Sequence, residues 1–324
     1  MKIKGSTILV TGGAGFIGSH VVDRLLLKNP KKIIVLDDFS RGTPQNIEQA
    51  SKYKNLEIVK GDIRDQKLVN NVTQACDYVF HLAAIRITRC AEDPRLCQQV
   101  LVDGTFNVLE ACAKHKVKKL IFSSSASVYG SPSYLPMDEK HPFNNTTAYG
   151  AAKIANEEMA KAFKAMYDLN YVVLRYFNIY GPRMDIYGVY TEVLIKWLDA
   201  IDKNVSPIIH GDGKQALDFV YIEDIVDANI KALESDVNEG VFNVGTGKST
   251  SLKELLNILL ELTGSKLEPI YQKSVKRPYV QKRTADTVLA EKWLGIVAKT
   301  GIEDGLRKLI QWRREQLAKS PLNK

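Results

Sequence analysis

The stretch Ile8–His20, ILVTGGAGFIGSH, decides the fold. Its first residues form a continuous apolar run, which reads as a buried strand. Gly12, Gly15 and Gly18 follow at every third position, and the residues from Gly18 to Leu27 then carry helical periodicity. A glycine-rich turn between strand and helix has no Cβ to hold a ligand off. The backbone can therefore approach a diphosphate at a helix N-terminus, where free N–H groups and the helix dipole favour negative charge.

Outward from this turn, short Val/Ile/Leu-rich runs recur at Lys32–Leu36, Leu56–Lys60, Tyr78–Leu82, Lys119–Ser123 and Tyr171–Arg175, after the first at Thr7–Val10. Amphipathic segments lie between them at Gly18–Leu27, Gln66–Gln74, Leu96–His115 and Tyr149–Asp168. Continuous apolar strands separated by helices predict an α/β fold, a Rossmann-type doubly wound parallel sheet with helices on both faces. After Arg175 the rhythm changes. RYFNIYGPRMDIYG, rich in aromatics, Gly and Pro, reads as an irregular crossing to a smaller C-terminal α/β substrate lobe. The expected division is residues 1–175 plus about 217–247 for the nucleotide-binding domain, and about 176–216 with 248–324 for the substrate lobe.

With 324 residues, 45% hydrophobic and 25% charged, the chain can bury a full core. Lys and Arg number 45 against 37 Asp and Glu, a net charge of +8 that suits an anionic small molecule. No basic stripe with interleaved aromatics points to nucleic acid. The start MKIKGSTILV is too short and polar for a signal peptide, and no run reaches the roughly 18 apolar residues of a membrane span. Cys76, Cys90, Cys97 and Cys112 have no CxxC spacing and no His cluster beside them, so the expectation is four reduced thiols, no metal and a cytoplasmic protein.

Asp37 ends the second strand, about 20 residues beyond the glycines. A carboxylate there accepts hydrogen bonds from adenosine ribose hydroxyls and repels a 2′-phosphate, which favours NAD over NADP; Arg41 close by could reach such a phosphate. Asp62 and Ile63, after the third strand, face the adenine edge in this reading, with an ordinary helix-capping role for either as the alternative. Tyr149 and Lys153 in YGAAK stand four apart on one helix face. A phenol titrates near 10 (roughly), and a neighbouring ammonium moves it toward a useful range for a base.

TGGAGFIG, FHLAA, SSSASVYG, YGAAK and RYFNIYGPR occur in this order along essentially the whole chain. Together they resemble the extended short-chain dehydrogenases, specifically the NAD-dependent nucleotide-sugar epimerase/dehydratase family, and within it the UDP-glucose 4-epimerase group. The resemblance implies that Tyr149 takes the proton of the sugar 4-hydroxyl as C4 gives hydride to NAD. The 4-keto intermediate rotates, and hydride returns to its other face. Lys153 would hold the nicotinamide ribose, and Ser125 would bridge the sugar 4-oxygen. The cofactor set it implies is Gly12, Gly15, Phe16, Ile17, Gly18, Asp37, Asp62, Ile63, Leu82, Ala83, Ala84, Ser123, Tyr149, Lys153 and Phe177. The nucleotide-sugar set is Arg86, Ser125, Tyr149, Asn178, Val193, Trp197, His210, Arg277 and Arg283, and a homodimer through the helices near Leu96–His115 and Tyr149–Asp168 is implied as well.

Dehydratases of this family carry Thr-Asp-Glu before VYG, and decarboxylases keep a Glu there. This chain has Ser125, Ala126 and Ser127, which lack the acid and base that elimination needs. Three further departures stand out: Leu217 replaces the arginine that clamps the diphosphate, Tyr279 and Val280 replace the Gly and Asp of an RxGD motif, and Leu101 replaces an Asn. Arg283, with Arg277, is read as supplying the missing charge or touching a polar group of the sugar. Competing readings are a decarboxylase, dehydratase or reductase on the same scaffold, an epimerase-like dehydrogenase of a non-nucleotide substrate, and a non-catalytic NAD sensor.

Overall fold

The computed structural model describes residues 3–186, 193–273 and 280–319. Its first half runs β1 (Thr7–Thr11), α1 (Phe16–Leu26), β2 (Lys32–Asp37), β3 (Leu56–Lys60), α2 (Gln66–Thr73), β4 (Tyr78–His81), α3 (Ile87–Glu92), α4 (Pro94–Cys97), α5 (Gly104–Lys114), β5 (Lys119–Ser125), α6 (Ala148–Tyr167) and β6 (Tyr171–Tyr176). Next come β7 (Asn178–Tyr180), α7 (Val193–Asp202), β8 (Ile208–His210), β9 (Ala216–Leu217), β10 (Phe219–Tyr221), α8 (Ile222–Glu234) and β11 (Val241–Val244). The chain ends with β12 (Thr250–Ser251), α9 (Leu252–Thr263), β13 (Ile270–Gln272), β14 (Lys282–Arg283), α10 (Val288–Leu294) and α11 (Ile302–Lys319).

Seven strands form one parallel sheet in the order β11-β6-β5-β4-β1-β2-β3. Successive residues of a strand face opposite sides, and both sides are covered. Ile8 and Val10 pack with Val21 and Val22 of α1 and Ile225 of α8, while Leu9 packs with Leu109 of α5 and Phe163 of α6. That is why these strands read as unbroken apolar runs rather than alternating ones. The chain leaves β1 toward β2 and β3, then crosses back to β4 on the other side. Such a reversal leaves a crevice outside the carboxyl ends of the strands. Five short strands pair outside this sheet beside the crevice: β7 with β10, and β9 with β12 and β14. Among the described residues no helix is long and apolar enough to cross a membrane.

Two expectations are corrected. The segment read as one helix, Leu96–His115, is α4, a π-helical turn at Gln98–Asp103, and α5. The Leu101 carbonyl there accepts from Thr105 Oγ1 at 2.6 Å and from Asn156 Nδ2 at 2.7 Å, so side chains take over part of the helical ladder. Second, Cys90 and Cys97 are not free thiols: they are joined by a disulfide. The break between α3 and α4 at Asp93–Pro94 folds the chain back and brings their Cα atoms within 4.8 Å. Both are buried, in a cluster that also holds Leu101 and Ala152, with Tyr149 against it. Cys76 and Cys112 remain free and buried. Burial pushes the Cys76 thiol up to about 12 and raises that of Cys112 as well, so neither supplies a thiolate near neutral pH.

The disulfide gives a direct prediction. Alkylation of protein unfolded without reductant should modify Cys76 and Cys112 only, and reduction should add Cys90 and Cys97; labelling at all four before reduction, read by peptide mass, would contradict the pairing.

Candidate active site

The carboxyl ends of β1, β2, β4 and β5 open into a cleft of about 2280 Å³, closed on the other side by the segment after β6, the start of α7 and Leu217 and Phe219. Its floor is the first turn. Gly12, with φ of +69°, carries no side chain where a Cβ would lie 2.7 Å from the Ala83 amide nitrogen. A Cβ on Gly18 would meet the Gly12 carbonyl at 2.1 Å, so α1 could not start this close to β1. Gly15 caps α1 and, as a glycine, brings no side-chain acceptor to the first-turn N–H groups. Gly12, Gly15, Phe16, Ile17, Gly18, Leu82, Ala83 and Ala84 all line this part of the cleft.

Asp37 and the pair Asp62 and Ile63 line its far end. Asp37 is buried and accepts from the amides of Ala14 and Phe39, each at 2.9 Å. Burial raises its carboxyl above the usual range, and those amide bonds oppose the rise. The Asp62 carboxylate is bonded to Arg64 at 2.6 Å.

At the near end α6 delivers Tyr149 and Lys153. Thr147 caps this helix, its hydroxyl accepting from the Gly150 amide at 3.1 Å. Tyr149 faces the Ser125 hydroxyl, at the tip of β5, and both line the cleft. Burial raises the Tyr149 phenol above its ordinary value; the Ser125 hydroxyl and the charge of Arg41 pull the other way. Lys153 is 2% exposed and donates to the Ser123 carbonyl at 2.7 Å, with its Nζ 5.8 Å from the Tyr149 ring centre. Burial draws its ammonium down to about 8, and the carboxylate of Glu157 opposes that fall. Ser125 also receives the Ser127 amide at 3.1 Å, which fixes the hydroxyl at the cleft. Ala126 carries no polar group and Ser127 adds a second hydroxyl, so this segment brings no carboxylate to the site.

On the substrate side, Phe177, Asn178 and Val193 line the cleft, and Asn178 Nδ2 donates to the Asp218 carbonyl at 3.1 Å. Arg86 lines it too and pairs with Asp185 at 3.0 Å, joining the loop after β4 to the segment after β7. Three expected members are elsewhere. Trp197 is core: it is 2% exposed and its indole N–H donates to the Ile208 carbonyl at 2.8 Å. Its helix turns Val193 and Lys196 to the cleft instead. His210 is exposed on β8, a strand whose partner is β13, and does not line the cleft. Arg283 stands beside Leu217 in the β14–β9 register, yet its guanidinium runs to the Gly130 carbonyl at 3.3 Å and does not line the cleft. Burial draws Arg283 down to about 10 and leaves its Nε without a partner. Arg277 lies outside the described residues. Arg183 and Lys196 are cleft-lining cations that the sequence reading passed over. Arg183 pairs with Asp23 of α1 at 2.6 Å, a contact 160 residues away in sequence that no local pattern announces.

Residues 8–245 match the NAD dependent epimerase/dehydratase family. A putative UDP-glucose 4-epimerase of Methanocaldococcus jannaschii is 39% identical over 314 residues, 95% of this chain and 98% of its own length. Among solved structures, the UDP-N-acetylglucosamine 4-epimerase of Methanobrevibacter ruminantium, in complex with UDP-N-acetylmuramic acid, superposes with a TM-score of 0.91 at 36% identity, covering 97% of this chain and 99% of that one. The UDP-glucose 4-epimerase of Thermotoga maritima, with UDP-glucose, gives a TM-score of 0.90 at 36% identity, covering 96% and 99%.

The donor set suits the dinucleotide that the family description names. Uncapped first-turn amides and a glycine floor fit a diphosphate, and a buried carboxylate at the end of β2 fits ribose hydroxyls. Replacing Asp37 by Asn removes the charged acceptor. NAD binding, read by quenching of protein fluorescence, should weaken by roughly tenfold or more, while NADP gains relative to NAD; an unchanged NAD/NADP ratio would remove Asp37 from this role.

Proposed function

The chain belongs to the NAD-dependent epimerase/dehydratase family, and from that premise we propose that it inverts C4 of a UDP-hexose, of the glucose/galactose type or an N-acetylated or uronic form. The observation that carries this reading is the convergence of Ser125, Tyr149 and a buried Lys153 on one cleft, on a segment whose next residues are Ala126 and Ser127. Removal and return of one proton at the 4-oxygen needs a single base beside a cation. Elimination needs an additional acid and base, and no carboxylate is supplied there. The M. jannaschii relative and the two solved epimerases favour the same reading.

In this reading Gly12, Gly15, Phe16, Ile17 and Gly18 hold the cofactor diphosphate, Asp37 its adenosine ribose, and Asp62 and Ile63 the adenine edge. NAD held by these residues would supply the hydride acceptor for C4. Tyr149 takes the 4-hydroxyl proton, Ser125 bonds the same oxygen and holds it in line, and Lys153 stabilises the phenolate by its charge. The proton then returns from Tyr149 to the reduced 4-oxygen. Asn178 and the cations Arg183 and Lys196 face the substrate diphosphate in place of the charge missing at Leu217.

The same reading divides the chain into a nucleotide-binding domain, residues 1–175 with about 217–247, and a substrate lobe from the rest. It places the protein in the cytoplasm as a homodimer through α5 and α6, whose exposed Phe106, Met166 and Tyr167 offer apolar surface.

Purified protein incubated with UDP-glucose, UDP-galactose, their N-acetyl forms and UDP-glucuronate, without added NADH, should interconvert one C4 pair at constant mass. Loss of mass as CO2 or water would favour a decarboxylase or dehydratase instead. Tyr149→Phe should lower kcat by about 10²- to 10⁴-fold; normal turnover in that variant would exclude Tyr149 as the base.

A further inference from the structure

Glu157 stands one turn beyond Lys153 and two beyond Tyr149 on the same face of α6. It is 4% exposed, and the proton transfer described above makes no use of it. A buried carboxylate is tolerated only with partners. One oxygen of Glu157 accepts from the Ser124 hydroxyl and from Arg175 Nε at 3.0 Å, and the other accepts from Arg175 Nη2 at 2.6 Å. Arg175, in β6 and 3% exposed, is itself held on the far side. Its Nη1 donates to the Tyr129 hydroxyl at 2.9 Å and to the Glu139 carbonyl at 3.1 Å, and the Tyr129 hydroxyl donates to Asn243 Oδ1 at 2.6 Å. Ser124 lies between Ser123, whose carbonyl receives Lys153, and Ser125, whose hydroxyl faces Tyr149.

We propose that Glu157 is a positioning residue for the C4 reaction: clamped by Arg175, it anchors the Ser123–Ser125 strand end through Ser124 and supplies the negative charge that keeps Lys153 an ammonium beside Tyr149. The inference rests on the epimerase reading above. The groups around Lys153 single out Glu157. From β4 comes His81, whose imidazole is drawn down to about 3, by burial first and by the charge of Lys153 second, and so is neutral. From β5 come the Ser123 carbonyl and the Phe122 ring, which carry no charge. From β6 comes Arg175, a cation paired with Glu157. Tyr129 is a phenol that burial raises above its ordinary value, and Glu139 accepts from the Asn243 amide behind Arg175. Tyr149 is the group to be ionised.

Glu157→Gln keeps the shape and an acceptor for Ser124 but removes the charge. Burial then lowers Lys153 unopposed. The alkaline limb of the kcat–pH profile should move toward lower pH by roughly one pH unit, with KM below the limb changed less than kcat above it. The phenolate absorbance of Tyr149, isolated as a difference from Tyr149→Phe, should rise at higher pH than in the unaltered protein. Ser124→Ala, which cuts the anchor and keeps the charge, should lower kcat and leave the limb in place. A Glu157→Gln protein whose limb and phenolate titration coincide with those of the unaltered chain overturns the proposal. If that variant does not fold, Glu157→Gln with Arg175→Met removes the stranded cation as well and is read in the same way. The phenolate titration does not depend on turnover, so failure of the epimerase reading and failure of this inference are told apart.

Discussion

A lysine ammonium buried at the junction of α6 and the end of β5 is the constraint on which the site depends. Lys153 is 2% exposed and donates to the Ser123 carbonyl at 2.7 Å. Burying an ammonium costs several kcal/mol unless it is bonded and charge-balanced. The bond fixes the helix against the strand tip, so Tyr149, one turn earlier, meets Ser125 at that tip. The balance comes from Glu157, one turn later, and Glu157 in turn requires Arg175 of β6. Three neighbouring elements are locked in one relative position by groups that could not be left unpaired. The cleft inherits its geometry from that lock.

At the opposite end of the cleft, backbone shape replaces charge. The first turn succeeds because Gly12 and Gly18 leave nothing between β1, the loop after β4 and α1. The amides at the start of α1 stay open for an anion, and Asp37 closes the far side with a carboxylate held by two backbone N–H groups. A rigid, positively polarised floor and a tunable phenol thus face each other across one cavity.

Much of the fold was legible because the strands inside the sheet are buried on both faces, unlike the edge strand β3, and each helix between them on one, which writes two different periods into the sequence. The strand–glycine turn–helix and the Tyr149–Lys153 spacing are local, so they stand in the sequence intact. What was not legible is contact between distant residues. Trp197 looked available for a nucleotide, but its fate depends on Ile208, 11 residues on in β8. Arg283 sits beside Leu217, as a substitute charge would, yet Gly130 captures its guanidinium. The Cys90–Cys97 disulfide needed the reversal at Pro94, and the π-helical turn at Gln98–Asp103 needed Asn156 from another helix. Glu157 could have been found, because it continues the Tyr149–Lys153 stripe by one more turn; its meaning came only with Arg175.

The central claim is that the C4 hydrogen leaves and returns within one closed site while Tyr149 handles only the oxygen-bound proton. The most direct measurement uses a UDP-hexose carrying deuterium at C4, turned over in ordinary water, with the epimer isolated and its label located by NMR. Full retention of deuterium at C4 of the inverted product is the expected result. Replacement of that deuterium by solvent hydrogen would mean that C4 is deprotonated rather than oxidised, and would contradict the account.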